Sequence, residues 1–210
     1  MPEPRTFAYV DGFNLYYRAL KERPYKWLNL HALVSGILNQ NQIVEVKYYT
    51  ARVSGSRDPG EPSRQNAYLR ALKTIPGLSI HYGRFLPKII TRPLVNPPPS
   101  GSRYVDVHST EEKGSDVNLA SHLIFDGCSG RYEAAVVVSK DSDLAEPIRL
   151  VVQELGIPVG LICPDGAVPI DLEHAASFVR HIVKTDLANS QFPDPVINRN
   201  GKQIHKPAHW

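Results

Sequence analysis

Residues 6–17 read TFAYVDGFNLYY, an apolar run that ends on Asp11 and is followed three residues later by Asn14. Such a run is typical of a buried strand in a parallel sheet, because helices cover both faces of such a strand. Side chains that follow parallel strands lie at the carboxyl edge of the sheet, where ligands bind. The stretch therefore predicts an α/β fold with Asp11 and Asn14 at its functional edge.

A second apolar run repeats this pattern. Residues 134–143 read AAVVVSKDSD, which places Asp141 and Asp143 directly after another buried strand. Asp116 opens an amphipathic helix in the segment GSDVNLA. Because strand ends and helix starts meet at one edge of an α/β sheet, we expect these carboxylates to form one cluster with Asp11.

Each acid also has a simpler explanation. Aspartate is a favoured helix N-cap, so Asp116 and Asp143 are explained equally well as caps of the helices that they precede. Capping does not explain the whole set, because two carboxylates ~4 Å apart repel by about 4 kcal/mol at an effective dielectric of ~20. Carboxylate oxygens are the ligands that Mg²⁺ and Mn²⁺ prefer. Such a cluster must therefore either take up a proton or bind a cation, and for the second case the ligand type predicts a divalent-metal site.

Strand and helix patterns alternate along the chain. Strands are predicted at residues 6–10, 43–52, 78–85, 134–138, 158–163 and 178–183, and helices at 14–20, 30–38, 63–74, 144–155 and 171–176. The alternation predicts βαβ units and a mainly parallel sheet. Prolines and glycines between residues 87 and 102 predict a loop or an edge hairpin there.

Three segments resemble a known family: VDGFNLYY (10–17), EKGSDVNLA (112–120) and VSKDSDLAEPI (138–148). They are similar to the signature blocks of the NYN domain, a branch of the PIN-like nuclease superfamily that includes the LabA/DUF88-type bacterial proteins, and they occur in that family's order. The resemblance spans roughly residues 6–183. It implies a Rossmann-like three-layer α/β/α sandwich whose acidic pocket binds a divalent metal and cleaves RNA.

The resemblance also assigns roles to the acids. By motif, Asp11, Asp116 and Asp141 are metal ligands and catalytic acids, and Asp143 joins them directly or through a water. Asn14 is their polar partner, which orients Asp11 or a metal-bound water. The expected cofactor is Mg²⁺ or Mn²⁺, which would lower the pKa of a bound water and neutralise the scissile phosphate.

Five further residues are predicted to contact the RNA: Ser139, Lys140, Arg52, Arg57 and Lys113. Lys140 departs from the family pattern, which has a small residue at this position. Its ammonium either contacts a phosphate or crowds the acidic site. For Arg52 and Arg57, which follow a predicted strand, a solvated loop is the alternative.

The composition is compatible with these expectations. The chain has 210 residues, a formal net charge of +3 and a pI of about 8.8, which permits nucleic acid as a partner without requiring it. Its two cysteines, Cys128 and Cys163, lack the spacing of a zinc site. Without a signal-peptide or membrane-spanning pattern, we expect a cytoplasmic protein that has RNA as its substrate and no membrane partner. The sequence leaves a homo-oligomer open.

The domain organisation predicted from the sequence is a single NYN/PIN-like domain over residues 1–186. Residues 187–210 are polar, contain prolines and show no periodicity, which predicts a mobile C-terminal tail. The alternative is an RNA-contacting arm in which Trp210 stacks on a base.

Two other functions are compatible with the sequence. One is an RNA-binding or regulatory module that keeps the fold without turnover. The other is an NYN-like small-molecule enzyme, such as an aromatic-ring hydroxylase, for which a closed pocket lined by aromatic residues would be the distinguishing feature.

Overall fold

A computed structural model of the protein describes residues 3–56 and 58–210. The strands are β1 (Arg5–Asp11), β2 (Gln42–Thr50), β3 (Leu78–Tyr82), β4 (Arg84–Pro93), β5 (Tyr104–Lys113), β6 (Ala134–Val138), β7 (Val159–Cys163), β8 (Phe178–His181), β9 (Val196–Ile197) and β10 (Gln203–Ile204). The helices are α1 (Gly12–Leu15), α2 (Leu30–Ile37), α3 (Glu61–Leu72), α4 (Ser115–Cys128), α5 (Ala145–Glu154), α6 (Ile170–Ala175) and α7 (Lys184–Asn189). A π-helical segment, Tyr16–Leu20, continues α1, and a 3-10 turn, Ser142–Leu144, leads into α5. None of the helices in these described ranges is long and apolar enough to cross a membrane.

Six strands form the central sheet in the order β3-β2-β1-β6-β7-β8, and every neighbouring pair is parallel. The α/β fold with a parallel sheet is therefore confirmed. The chain moves outward from β1 through β2 to β3, and it then returns to pair β6 with the other side of β1. The two halves of the sheet meet between β1 and β6, and ligands of such folds bind beyond the strand ends at this reversal.

Alternate residues of β1 point into two different cores. Ala8 and Val10 belong to the cluster that contains Trp27 and the residues of α2 and α3. Phe7 and Tyr9 belong to the cluster that contains residues of α4 and α5 on the opposite face. Since β1 is buried on both faces, its sequence is continuously apolar, and the architecture is a three-layer sandwich.

The region between β3 and α4 differs from the prediction. Residues 78–85 do not form one strand. β3 ends at Tyr82, the Gly83 N–H makes one more hydrogen bond to the Thr50 carbonyl of β2, and β4 begins at Arg84 outside the central sheet. β4 and β5 then pair as an antiparallel hairpin, one of the two alternatives predicted for this region. The hairpin forms a two-stranded sheet of its own and is not part of the central sheet. The root of this hairpin lies beside the carboxyl edge of the sheet, where Phe85 contacts Phe13 with ring centroids 5.4 Å apart.

The C-terminal segment packs against the first core. α7 continues across residue 186, and the side chains of Phe192, Val196 and Ile204 are buried in the cluster around Trp27. The Trp210 ring lies 5.9 Å from the Trp27 ring between centroids. This packing differs from the separate tail predicted for residues 187–210, because a few irregularly spaced apolar side chains anchor a segment that is otherwise polar.

We predict that Phe192→Ala lowers the free energy of unfolding by about 3 to 5 kcal/mol, because it leaves a cavity beside Trp27. Urea denaturation of the purified protein measures the change. Val95→Ala is the matched control, because the Val95 side chain is 95% exposed and its truncation should have little effect. Equal stabilities for the two variants would show that residues 187–210 contribute nothing to the core.

Candidate metal centre

Asp11 and Asp141 are brought together by the pairing of β1 with β6. Val10 lies opposite Val138 in this parallel ladder, so the residues after both strands leave the sheet side by side. Asp11 also caps α1, since the Asn14 N–H donates to its Oδ1 at 3.0 Å. Asp141 caps the following 3-10 turn by accepting the Asp143 N–H at 3.1 Å. Capping and clustering are therefore compatible at these two positions.

Asp116 reaches the same place from the first turn of α4. The turn from β5 into this helix requires Gly114, which has a φ of 102° in the left-handed region that favours glycine. One carboxylate oxygen from each of Asp11, Asp116 and Asp141 lies within 4.8 Å of the other two. We refer to these three residues as the acidic triad.

The triad concentrates negative charge. Burial raises the pKa of Asp11, although the Asn14 N–H and the Ser139 hydroxyl oppose this shift by hydrogen bonding to the carboxylate. Partial burial, followed by repulsion from Asp11 and Asp141, raises the pKa of Asp116 to about 6. Among residues 3–56 and 58–210, no lysine or arginine forms an ion pair with any of the three. A divalent cation would relieve this repulsion, so the donor set fits a divalent metal ion.

Asp143 is not one of the three clustered acids. Its side chain is exposed and borders a separate recess together with Glu146 and Arg149. Its charge still contributes to the raised pKa of Asp116, but less than the charges of Asp11 and Asp141 do. The structure therefore brings together three of the four acids that the sequence predicts as ligands.

Ser139 contacts another partner than the predicted phosphate, and Asn14 contacts Asp11 through its backbone N–H while its side chain has a different partner. Ser139 is fully buried, and its hydroxyl donates to Asp11 Oδ2 at 2.9 Å, so it is not available to a phosphate. Its Oγ also accepts the Asp141 N–H at 3.1 Å, which ties two members of the triad together. The side-chain oxygen of Asn14 accepts the Lys140 N–H at 3.0 Å, so it positions the loop after β6.

Three of the basic side chains predicted to contact RNA interact with neighbouring side chains of the protein. The Lys140 ammonium lies 3.3 Å from Asp165 Oδ1, so within the described residues its ion-pair partner is Asp165 and not a member of the triad. Lys113 pairs with Glu111 at 2.9 Å. The Arg52 guanidinium lies over the Tyr82 ring, with its central carbon 5.1 Å from the centroid.

Arg57, the fifth predicted RNA contact, lies outside the described residues.

Five further residues line the recess around the triad: Phe13, Tyr17, Phe85, Glu112 and Ser115. Phe85 and Glu112 lie opposite each other at the root of the hairpin. Glu112 Oε1 accepts a hydrogen bond from the Ser115 hydroxyl at 3.0 Å. Because Glu112 precedes this first residue of α4 by three positions, the local sequence contains a signal that Glu112 lies near the helix start. Phe85 carried no such signal, because only the hairpin register brings it to the site.

Comparison with known proteins places this arrangement in context. The NYN domain family matches residues 5–183. The chain is also 30% identical, over an alignment of 236 residues, to 6-hydroxy-3-succinoylpyridine 3-monooxygenase HspA from Pseudomonas putida, and the alignment covers 98% of this chain and 75% of that protein. The crystal structure of a protein of unknown function from Vibrio parahaemolyticus has a similar fold, with a TM-score of 0.56 and 14% identity, and the match covers 91% of this chain and 99% of that one.

We predict that Asp116→Asn stabilises the metal-free protein only above a certain pH. The folded-state pKa of Asp116 is about 6 against an ordinary value of 3.8, so its carboxyl group favours folding while protonated and loses this contribution as the pH rises through about 6. The variant should therefore match the wild type below about pH 4 and melt at a higher temperature above about pH 6. Thermal unfolding in the presence of a chelator measures this difference.

Asp171→Asn is the control for this experiment, because Asp171 is an exposed residue of α6 that lies away from the triad. A difference between Asp116→Asn and the wild type that stays constant with pH would contradict the predicted repulsion.

Proposed function

Because the chain belongs to the NYN domain family, we propose that it is a metal-dependent ribonuclease that hydrolyses phosphodiester bonds at the acidic triad. The observation that carries this proposal is the approach of three carboxylate oxygens to within 4.8 Å at the carboxyl edge of a parallel sheet. An enzymatic role also agrees with the relative that is named as an enzyme.

The residues that would hold the ion are Asp11, Asp116 and Asp141. Mg²⁺ or Mn²⁺ suits them because all three offer hard carboxylate oxygens. Once bound, such an ion supplies a nucleophilic water at neutral pH and neutralises charge on the phosphate.

The chain's own residues keep the triad in place. The Ser139 hydroxyl donates to Asp11 and accepts the N–H of Asp141, so one buried side chain orients two acids. The side-chain oxygen of Asn14 accepts the Lys140 N–H and so fixes the backbone that leads into Asp141. These contacts position the metal ligands. Partners of this kind typically contribute about ten- to a hundredfold to metal affinity or activity.

Aromatic side chains at the rim would bind the substrate. Phe13, Tyr17 and Phe85 border the triad, and the Tyr17 side chain is 58% exposed. Bases of a single strand stack on such rings with about 1–3 kcal/mol per base. A flexible single strand is therefore the RNA form that this site suits best.

A second candidate function is oxygenation of a small aromatic substrate. The relative that covers 98% of this chain is named a monooxygenase of 6-hydroxy-3-succinoylpyridine. The aromatic rings of Phe13, Tyr17 and Phe85 around the triad would suit an aromatic substrate as well as a base.

For the nuclease, we predict that Asp141→Asn reduces Mn²⁺-dependent cleavage of a labelled single-stranded RNA by more than about 100-fold, since a direct ligand contributes more than an outer-shell partner. The melting temperature of the metal-free variant should stay equal or rise, because one repelling charge is removed. Gel electrophoresis of the RNA and thermal unfolding provide the two measurements.

The matched control is again Asp171→Asn, which should cleave like the wild type. Full cleavage by Asp141→Asn would contradict the proposal, and a large drop in its melting temperature would show that Asp141 serves mainly as a structural cap.

For the second candidate, oxygen consumption is measured with 6-hydroxy-3-succinoylpyridine and a nicotinamide reductant. We expect no uptake beyond the protein-free rate if the protein is a ribonuclease. Uptake that depends on the substrate and is lost in Asp141→Asn would establish the oxygenase in its place.

A further inference from the structure

A cleft lined by aromatic residues adjoins the recess around the triad. Phe13 and Tyr17 line both the recess around the acids and this cleft, so these two rings form the boundary between them. The cleft has a cavity volume of about 70 Å³, so it can hold only a small guest. The cleft and the recess around the triad therefore share one aromatic wall.

The inner walls of this cleft are aromatic. The Tyr48 ring lies against the backbone of Gly12, where an added Cβ would come within 2.6 Å of the ring. Tyr68 stands nearly perpendicular to Tyr48, with ring centroids 6.4 Å apart, and Trp210 follows at 5.3 Å from Tyr68. Tyr48 and Tyr68 are themselves almost fully buried, so they contribute a fixed aromatic wall to the cleft.

Two charged side chains of opposite sign also line the cleft, Glu61 and Lys26. Neither forms an ion pair within the described part of the chain. Glu61 lies in the first turn of α3, at the mouth of the cleft that its side chain lines. The cleft therefore combines apolar walls with one strong hydrogen-bond acceptor and one strong donor.

We propose that this cleft binds a planar heteroaromatic ring whose edge carries an N–H group beside a carbonyl oxygen. Tyr48, Tyr68 and Trp210 enclose the ring, the Glu61 carboxylate accepts its N–H, and the Lys26 ammonium donates to its oxygen. The inference rests on the proposed function, because the ring belongs to the substrate that reacts at the triad. Two sources share this chemistry: a uracil or guanine base of RNA, and a free hydroxypyridine in its oxo form.

The test is a ligand-observed NMR titration of the full chain in the presence of a chelator. Uridine 5′-monophosphate represents the base, and 2-pyridone represents the free ring. N-methyl-2-pyridone has the same shape and oxygen but no N–H, so it isolates the contact with Glu61. Because no metal and no turnover are involved, the titration does not depend on nuclease activity.

We expect at least one of the first two probes to bind, and Glu61→Gln to weaken its binding about tenfold, since hydrogen bonds to a charged group are the strong ones. Binding of N-methyl-2-pyridone should be weaker than that of 2-pyridone in the wild type and unchanged by Glu61→Gln. Trp210→Ala should weaken all ring probes, with circular dichroism confirming its fold. Glu173→Gln, an exposed change on α6, is the control and should bind like the wild type.

The outcomes separate this inference from the nuclease proposal. Ring binding that depends on Glu61 supports the cleft even if RNA is never cleaved, and binding of 2-pyridone alone then assigns it to a free ring. Binding of neither probe, or equal binding by the wild type and Glu61→Gln, overturns the inference even if Asp141→Asn abolishes RNA cleavage.

Discussion

The parallel pairing of β1 with β6 is the constraint on which the rest of this structure depends. Both strands are buried, so their sequences are continuously apolar and they occupy the middle of the sheet. The reversal of strand order falls between them, and the chain must leave both strands at one edge. Asp11 and Asp141 are the residues at these exits, and α4 brings Asp116 to them. The hydrophobic core therefore holds the charged site together.

This arrangement keeps like charges close at some cost in stability. Burial and mutual repulsion raise the pKa of Asp11 and Asp116, and the hydrogen bonds from Asn14 and Ser139 offset only part of the effect on Asp11. A fold selected only for stability would replace one of these acids by a neutral residue. Their presence together in one recess supports the proposed divalent-metal site, since a bound cation would offset this repulsion.

Local sequence was sufficient for part of this site and insufficient for the rest. Asp11 and Asp141 could be predicted because each follows an apolar run directly, and strand ends of a parallel sheet share one edge. The contact of Lys140 with Asp165 and the approach of Phe85 could not, since each depends on how distant loops and a hairpin pack. The packing of the C-terminal segment could not be predicted for a related reason. Phe192, Val196 and Ile204 are buried, but their spacing follows neither a helical nor a strand period.

The central claim is that Asp11, Asp116 and Asp141 bind one divalent cation between them. A crystal of the protein soaked in MnCl₂ and measured for anomalous scattering tests this claim directly. A manganese peak within coordination distance of all three carboxylates is the predicted result. Absence of a peak there, or manganese bound only at the separate recess of Asp143 and Glu146, would contradict it.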